Sequence, residues 1–334
     1  MTRDIRPHAA SKWRRAASLG LRRSVIVLIV AVVAGCVSNR AIPEFKLYLS
    51  TYAESSATVT AVLDEFEGVE LKRARDLMQR TGISPLRMGE MPATERGGKL
   101  KAGRARIQSN GFDVLFHIED AVYHAANSTP PITKAFRRAF AAVGAYNTAL
   151  DAYAEGRALD EVKTELSALG GAIGALGDAL GGAAKIGSMF APGGGLVSAG
   201  LSIIDNALEA GSKEAFRNAL IDLEPTMQQI LGEMREAAPA MFELMTSTAR
   251  AAVKDAPNAE ARAPKIQEIE KYRAVMSNWV VALDAASDAL ASVVVAIKTP
   301  DTALSLLSDL SLTAANAASV ADGTRRLLGE IRTD

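Results

Sequence analysis

Cysteine, histidine and aromatic residues are scarce in this chain. Of its 334 residues one is Cys, three are His, and Phe, Trp and Tyr together make up 5%. A single thiol excludes an internal disulfide framework and a Cys-ligated metal site. No charge of one sign dominates, because 38 basic residues balance 38 acidic ones. No stretch alternates apolar and polar residues between hairpin-type turns, which removes the signal for a sheet. No phosphate-loop lysine and no nucleophile-elbow serine occurs, and no fixed-period repeat of solenoid type is present. The longest early apolar run, Val25 to Ala34, covers about ten residues, whereas a membrane-spanning helix needs about twenty.

That short run has a definite context. Arg14, Arg15, Arg22 and Arg23 precede it, and it ends in Val33-Ala34-Gly35-Cys36. A basic segment, an apolar segment and small residues in that order form a secretory signal with a cleavage site. The four residues, with the chain's one cysteine in last place, resemble a bacterial lipobox. The resemblance implies that Cys36 receives a diacylglyceryl thioether, that the chain is cut before it, and that the new N-terminus is acylated. It concerns processing and leaves fold and activity open. Arg22-Arg23-Ser24-Val25-Ile26 also resembles a twin-arginine signal, so the export route stays open. Val37 stands where an aspartate favours inner-membrane retention in enteric bacteria, which points to the outer membrane, facing the periplasm.

Removal of residues 1–35 takes away seven basic residues and one acidic residue. The mature chain keeps 38 − 7 = 31 basic and 38 − 1 = 37 acidic residues, a net charge of −6. That balance argues against general nucleic-acid binding, which needs a basic surface. The expected organisation is a signal peptide over 1–35, a lipidated tether over 36–43 and a helical domain over 44–334.

The helical expectation rests on periodicity. Phe45, Tyr52, Val59 and Phe66 recur every seven residues, Tyr48, Val62 and Val69 follow three later, and Leu49 and Leu63 lie alongside. This stripe makes one face of a helix from about Pro43 to Arg80, with Thr81-Gly82 as the stop. Thr81 to Gly103, with five glycines and two prolines, reads as a loop. Its Arg96, Lys99 and Lys101, with Arg104 and Arg106 beyond, form either an anionic-surface contact or a solvated basic face. Helices are expected near Ala105 to Ala126 and from Pro131 to Ala154, the second capped by Ser128 or Thr129. It carries Phe136, Phe140, Val143, Ala145, Tyr146, Leu150 and Tyr153 on its apolar face. The run Ala145 to Gly156 is similar to a stretch in uncharacterised helical lipoproteins of proteobacteria, a likeness that implies no activity.

Beyond it, Pro225 and Pro239 are expected to divide Ser212 to Val253, and Pro257 and Pro264 to mark a linker. A long helix then runs from Pro264 toward Lys298 with Met276, Trp279, Leu283, Ala286, Leu290, Val293 and Ile297 in line. A last helix, Thr302 to Ile331, turns Leu304, Leu307, Leu310 and Val320 inward. The fold class is all-α, an elongated bundle of long antiparallel helices.

Leu166 to Ile204 is unusual, with only Asp178 and Lys185 charged. Gly170, Gly174, Gly177 and Gly181 fall at i, i+4, i+7 and i+11, on one face of a helix. Each glycine costs a helix about 1 kcal/mol relative to alanine, so the stripe needs a compensating contact. Close approach of a second helix supplies one. Ala191-Pro192-Gly193-Gly194-Gly195 breaks the helix, and Leu196 to Leu208 returns. The segment 166–208 is therefore an apolar helical hairpin. One reading buries it under its neighbours. The other releases 172–204 into lipid, since the arrangement resembles the apolar hairpins of α-helical pore-forming toxins.

Candidate chemistry is thin. His117 and His124 share a face with Asp113 and Asp120, and His117, Asp120 and His124 are the metal-ligand candidates. On a single helix the outer pair of the four stands about 16 Å apart, so any ion would need a second helix. Leu115, Ile118 and Val122 on the opposite side make the polar set the solvent face of an amphipathic helix. No catalytic residue and no cofactor are expected. The expected function is a lipid-anchored envelope protein that binds or scaffolds, held on the bilayer by acylated Cys36, with an envelope protein as partner and no nucleic acid. The alternative is membrane insertion through 172–204.

Overall fold

The computed structural model describes residues 42–81, 121–125, 128–184, 194–298 and 303–333. The signal segment, Cys36, the 82–103 loop, residues 105–120 and the hairpin turn at 191–193 lie outside the described residues. Every regular element among the described residues is a helix: α1 (Ile42–Thr81), α2 (Ala121–His124), α3 (Pro131–Ala154), α4 (Leu159–Ala184), α5 (Gly194–Ala210), α6 (Lys213–Glu236), α7 (Ala238–Asp255), α8 (Ala259–Lys298) and α9 (Ala303–Thr333).

Helices α1, α3, α6 and α8 form a central ring, each packed against the next, with α8 closing on α1. The paired side chains give the directions. Tyr48 of α1 meets Asn147 of α3, while Glu70 meets Thr133, so these two helices run oppositely. Trp279 of α8 meets Met234 of α6, and Arg217 meets Ile297, which again makes an antiparallel pair. Helix α9 lies against α1 and α8. It runs with α1, as Glu54 faces Arg325 and Glu65 faces Arg332. The α4–α5 hairpin covers α3 and α6 on the other side, and α7 packs on α8.

The stripes read from the sequence supply this core. Phe45, Tyr48, Val59, Val62, Leu63 and Phe66 of α1 are buried, as are Phe136, Phe140, Val143, Tyr146 and Leu150 of α3. On α8 the buried line is Met276, Trp279, Leu283, Ala286, Leu290 and Val293. Each large apolar side chain removed from water contributes about 1.5–3 kcal/mol. Phe136 joins three helices, its ring edge-to-face with Phe66 at 6.2 Å and with Trp279 at 6.0 Å. On α9 the inward line is Leu310, Ala317, Ala321, Thr324 and Leu328, and Val320 is only partly buried.

Two turns need a left-handed residue. Arg157 N–H returns to the Ala152 carbonyl at 3.1 Å around Gly156, whose φ is 68°, and this stops α3. Gly211, φ 59°, follows α5 and donates its own N–H to the Ala207 carbonyl at 3.0 Å, and Ser212 then caps α6 by accepting from Ala215 N–H at 3.1 Å.

Three local expectations differ from the structure. Pro225 does not divide Ser212 to Val253, because it lies inside the continuous α6. It is exposed, so its ring and the carbonyl it leaves free face outward. Pro264 does not start the long helix: α8 begins at Ala259 and carries Pro264 near its exposed N-terminal end. Neither Ser128 nor Thr129 caps α3, whose N-cap residue is Pro130 and has no side-chain hydrogen bond to give.

Candidate functional site

The glycine stripe lies on α4, and α5 returns beside it. Ile173, Leu166, Leu169 and Leu176 turn into the core, with Leu180 partly buried. A Cβ placed on Gly170 would stand 3.5 Å from Ile204, and one on Gly177 would stand 3.1 Å from Val197. Gly200 on α5 answers from the other side, where a Cβ would meet Ile173 at 3.4 Å and Leu223 at 3.7 Å. The close approach is therefore concentrated at Gly170, Gly177 and Gly200. Gly174 has nothing within 4 Å of the position its Cβ would take, and Asp178 is exposed. Gly181 falls in the last turn of α4, where side-chain surroundings are not described. Among the described residues the one helix long and apolar enough to cross a membrane is α8, which belongs to the central ring. Its Trp279, Leu283 and Leu290 are buried in the core.

A second arrangement, at the start of α3, was not read from the sequence. Glu70 of α1 is 6% exposed, and its carboxylate closes the N-terminus of α3. It accepts from Ile132 N–H at 3.2 Å, Thr133 N–H at 3.0 Å and the Thr133 hydroxyl at 2.8 Å. Four N–H groups at a helix start lack internal partners, and an acidic group there is favoured by the helix dipole. Burial nevertheless raises the Glu70 pKa, against the lowering effect of these bonds and with Glu67 adding repulsion. Two signals in the sequence mark the site. Glu70 falls four residues after Phe66 on the apolar stripe, and Pro130-Pro131 opens α3 with no side-chain cap.

One turn into α3, Arg137 reaches Asp64 at 2.8 Å and Glu67 at 2.6 Å on α1. Its Nε is buried with no hydrogen-bond partner among the described residues. Beside it lies a cleft of about 490 Å³, lined by Val122, Ser128, Thr129, Lys134, Arg138 and Ala141 together with Arg137. Arg75 of α1 donates from Nε to the Tyr123 carbonyl at 3.0 Å and ties α2 to the wall of this region.

The remaining site candidates are dispersed. His124 ends α2 and is exposed, while Asp113, His117 and Asp120 lie outside the described residues. Among the described residues no three His, Cys, Asp or Glu side chains gather where they could hold an ion. Polar groups inside the bundle serve its packing. Tyr52 donates to the Phe140 carbonyl at 3.0 Å and Tyr146 to the Leu220 carbonyl at 2.7 Å. Burial raises the pKa of both phenols, so they remain neutral donors. No family model, no curated protein and no solved structure matches the chain.

Proposed function

We propose that this protein is a lipid-anchored component of a bacterial cell envelope that acts by binding or scaffolding, with its helical bundle presented to a protein partner. The observation that carries the reading is the position of the single cysteine. Cys36 closes Val33-Ala34-Gly35-Cys36 and stands 42 − 36 = 6 residues before the first residue of α1. Six residues span at most about 20 Å, so acyl chains on Cys36 hold the start of α1 close to the bilayer. Several acyl chains at about 0.8 kcal/mol per buried methylene keep a protein on a membrane without a spanning helix.

The course of the helices sets which end of the bundle lies nearest this tether. α1 has 40 residues, so it carries its far end about 60 Å from the anchored one. α3 runs back along α1, and α4 returns along α3 after the turn at Gly156. The end of α4 and the start of α5 are therefore turned away from Cys36. A hairpin pointing away from the anchoring bilayer, with Leu169, Ile173 and Leu176 in the core, favours display of the bundle over insertion into that bilayer.

The test is metabolic labelling with a clickable fatty acid, followed by membrane fractionation, of the full chain and Cys36→Ser. Labelled, membrane-bound protein that becomes unlabelled and soluble in the variant supports the anchor. Full labelling and membrane retention of Cys36→Ser would sink it. Cross-linking in intact cells then identifies the partner. Dye release from anionic vesicles that changes in Gly174→Leu/Gly177→Leu would move the function to membrane insertion.

A further inference from the structure

We propose that the cleft between Val122, Ser128 and Thr129 and the first turns of α3 binds a phosphate ester, with Lys134 and Arg138 as its principal ligands. Its volume, about 490 Å³, suits a small polar ligand or a headgroup. Lys134 and Arg138 stand at i and i+4 on α3, so they project from the same face over one turn. Both are exposed, and neither takes part in an ion pair among the described residues. Arg137 between them is committed to Asp64 and Glu67 through its terminal nitrogen, with its Nε unpartnered. Thr129 adds a hydroxyl to the wall.

The chemistry follows from what else could meet these cations. The backbone N–H groups of the α3 N-terminus are already taken by Glu70, so a bound anion must be held by side chains. Two cations on adjacent turns match a multi-oxygen phosphate group better than a single carboxylate. Asp64 and Glu67 share the single charge of Arg137 and leave that side net negative, so a bound anion is drawn to the Lys134 and Arg138 side of the cleft. Arg75 of α1, bonded to the Tyr123 carbonyl at 3.0 Å, adds a further cation beside α2. The phosphate could arrive on a lipid headgroup or on a soluble ester, and the shared group is what the cleft recognises. The inference does not depend on the lipid anchor.

The full chain carrying Cys36→Ser removes any contribution from acylation. Glycerol 1-phosphate is titrated calorimetrically, and in parallel the protein is sedimented with phosphatidylcholine vesicles with or without phosphatidylglycerol. Saturable binding in either arm is expected, weakened roughly tenfold or more for each charge removed in Lys134→Gln/Arg138→Gln. Lys163→Gln on α4 should leave it unchanged. Binding of the soluble ester alone assigns the site to a soluble ligand, and binding of the phosphatidylglycerol vesicles alone assigns it to a headgroup. Absence of binding in both arms overturns the proposal, as does binding that Lys134→Gln/Arg138→Gln leaves intact. Circular dichroism of the double variant separates lost binding from lost fold. Thr129→Val, which removes one neutral contact, should give an intermediate loss.

Discussion

Glu70 holds Thr133 twice, through its backbone N–H at 3.0 Å and its hydroxyl at 2.8 Å, and so fixes the start of α3 to the far half of α1. A carboxylate in that position is a helix cap delivered from another helix, 63 residues away in sequence. Local capping residues are replaced by a tertiary contact because Pro130 and Pro131 occupy the cap and first-turn positions.

Glu70→Ala should destabilise the protein by about 2–4 kcal/mol, since it strips two buried N–H groups and one hydroxyl of their acceptor. Glu70→Gln keeps an acceptor oxygen and should cost well under half as much. Urea denaturation at pH 7 distinguishes them, and equal losses would contradict the cap.

The same residue gives a pH dependence of definite sign. Its pKa in the fold lies above the ordinary 4.5, so the folded protein holds the proton more tightly than the unfolded chain does. The stabilising contribution is fully present below pH 4.5 and is lost as pH rises through the raised value. Wild type should therefore gain on Glu70→Gln as pH falls through that window. Melting temperatures of the pair measured across it provide the check. A gap that moves the opposite way would mean the hydrogen bonds outweigh desolvation.

The hairpin glycines should respond unequally. Gly174→Ala enters open space and gains helix propensity, so it should stabilise by up to about 1 kcal/mol. Gly177→Ala brings a methyl to 3.1 Å from Val197 and should lose that gain. Gly177→Leu overpacks the same contact and should cost about 1–3 kcal/mol. Denaturation midpoints of the three variants decide it. Identical effects at 174 and 177 would mean that α4 and α5 are not packed this way in solution.

How much of this was legible in the chain depends on the range of the interaction. The faces of α1, α3 and α8 followed from apolar spacing, because a helix must bury the stripe that recurs at its own period. The span of α3, Pro131 to Ala154, followed too, since proline suits the first turn of a helix. Pro225 and Pro264 misled, because a proline on an exposed helix face forfeits one hydrogen bond without ending the helix. The place of Glu70 on the apolar stripe was legible, but its role as a cap was not, because its partner helix is set by tertiary packing. The cleft was equally out of reach: Lys134 and Arg138 look like any solvated pair until Val122, Ser128 and Thr129 are placed beside them. Of the glycine stripe, the sequence showed which residues share a face but not that Gly174 would stand clear of the returning helix.

Trp279 provides the sharpest reading of the core. Its indole N–H donates to the carbonyl of Met234 at 3.1 Å, and Met234 lies in the last turn of α6. That carbonyl is among those a helix end leaves without an internal partner, so a side chain of α8 satisfies the end of α6. The chain has two tryptophans, and Trp13 lies in the segment expected to be removed, so mature protein reports on Trp279 alone. Its emission should be blue-shifted and shielded from iodide, moving red in one step on unfolding. Trp279→Phe keeps most of the packing against Phe136 but leaves the Met234 carbonyl bare, at a cost of about 1–3 kcal/mol. Phe136→Leu removes the edge-to-face partner instead. If the two residues touch as described, a double-variant cycle of Trp279→Leu with Phe136→Leu should show a coupling of about 0.5–1.5 kcal/mol beyond additivity. Strict additivity, or an iodide-accessible indole in the folded protein, would place Trp279 outside the junction of α3, α6 and α8.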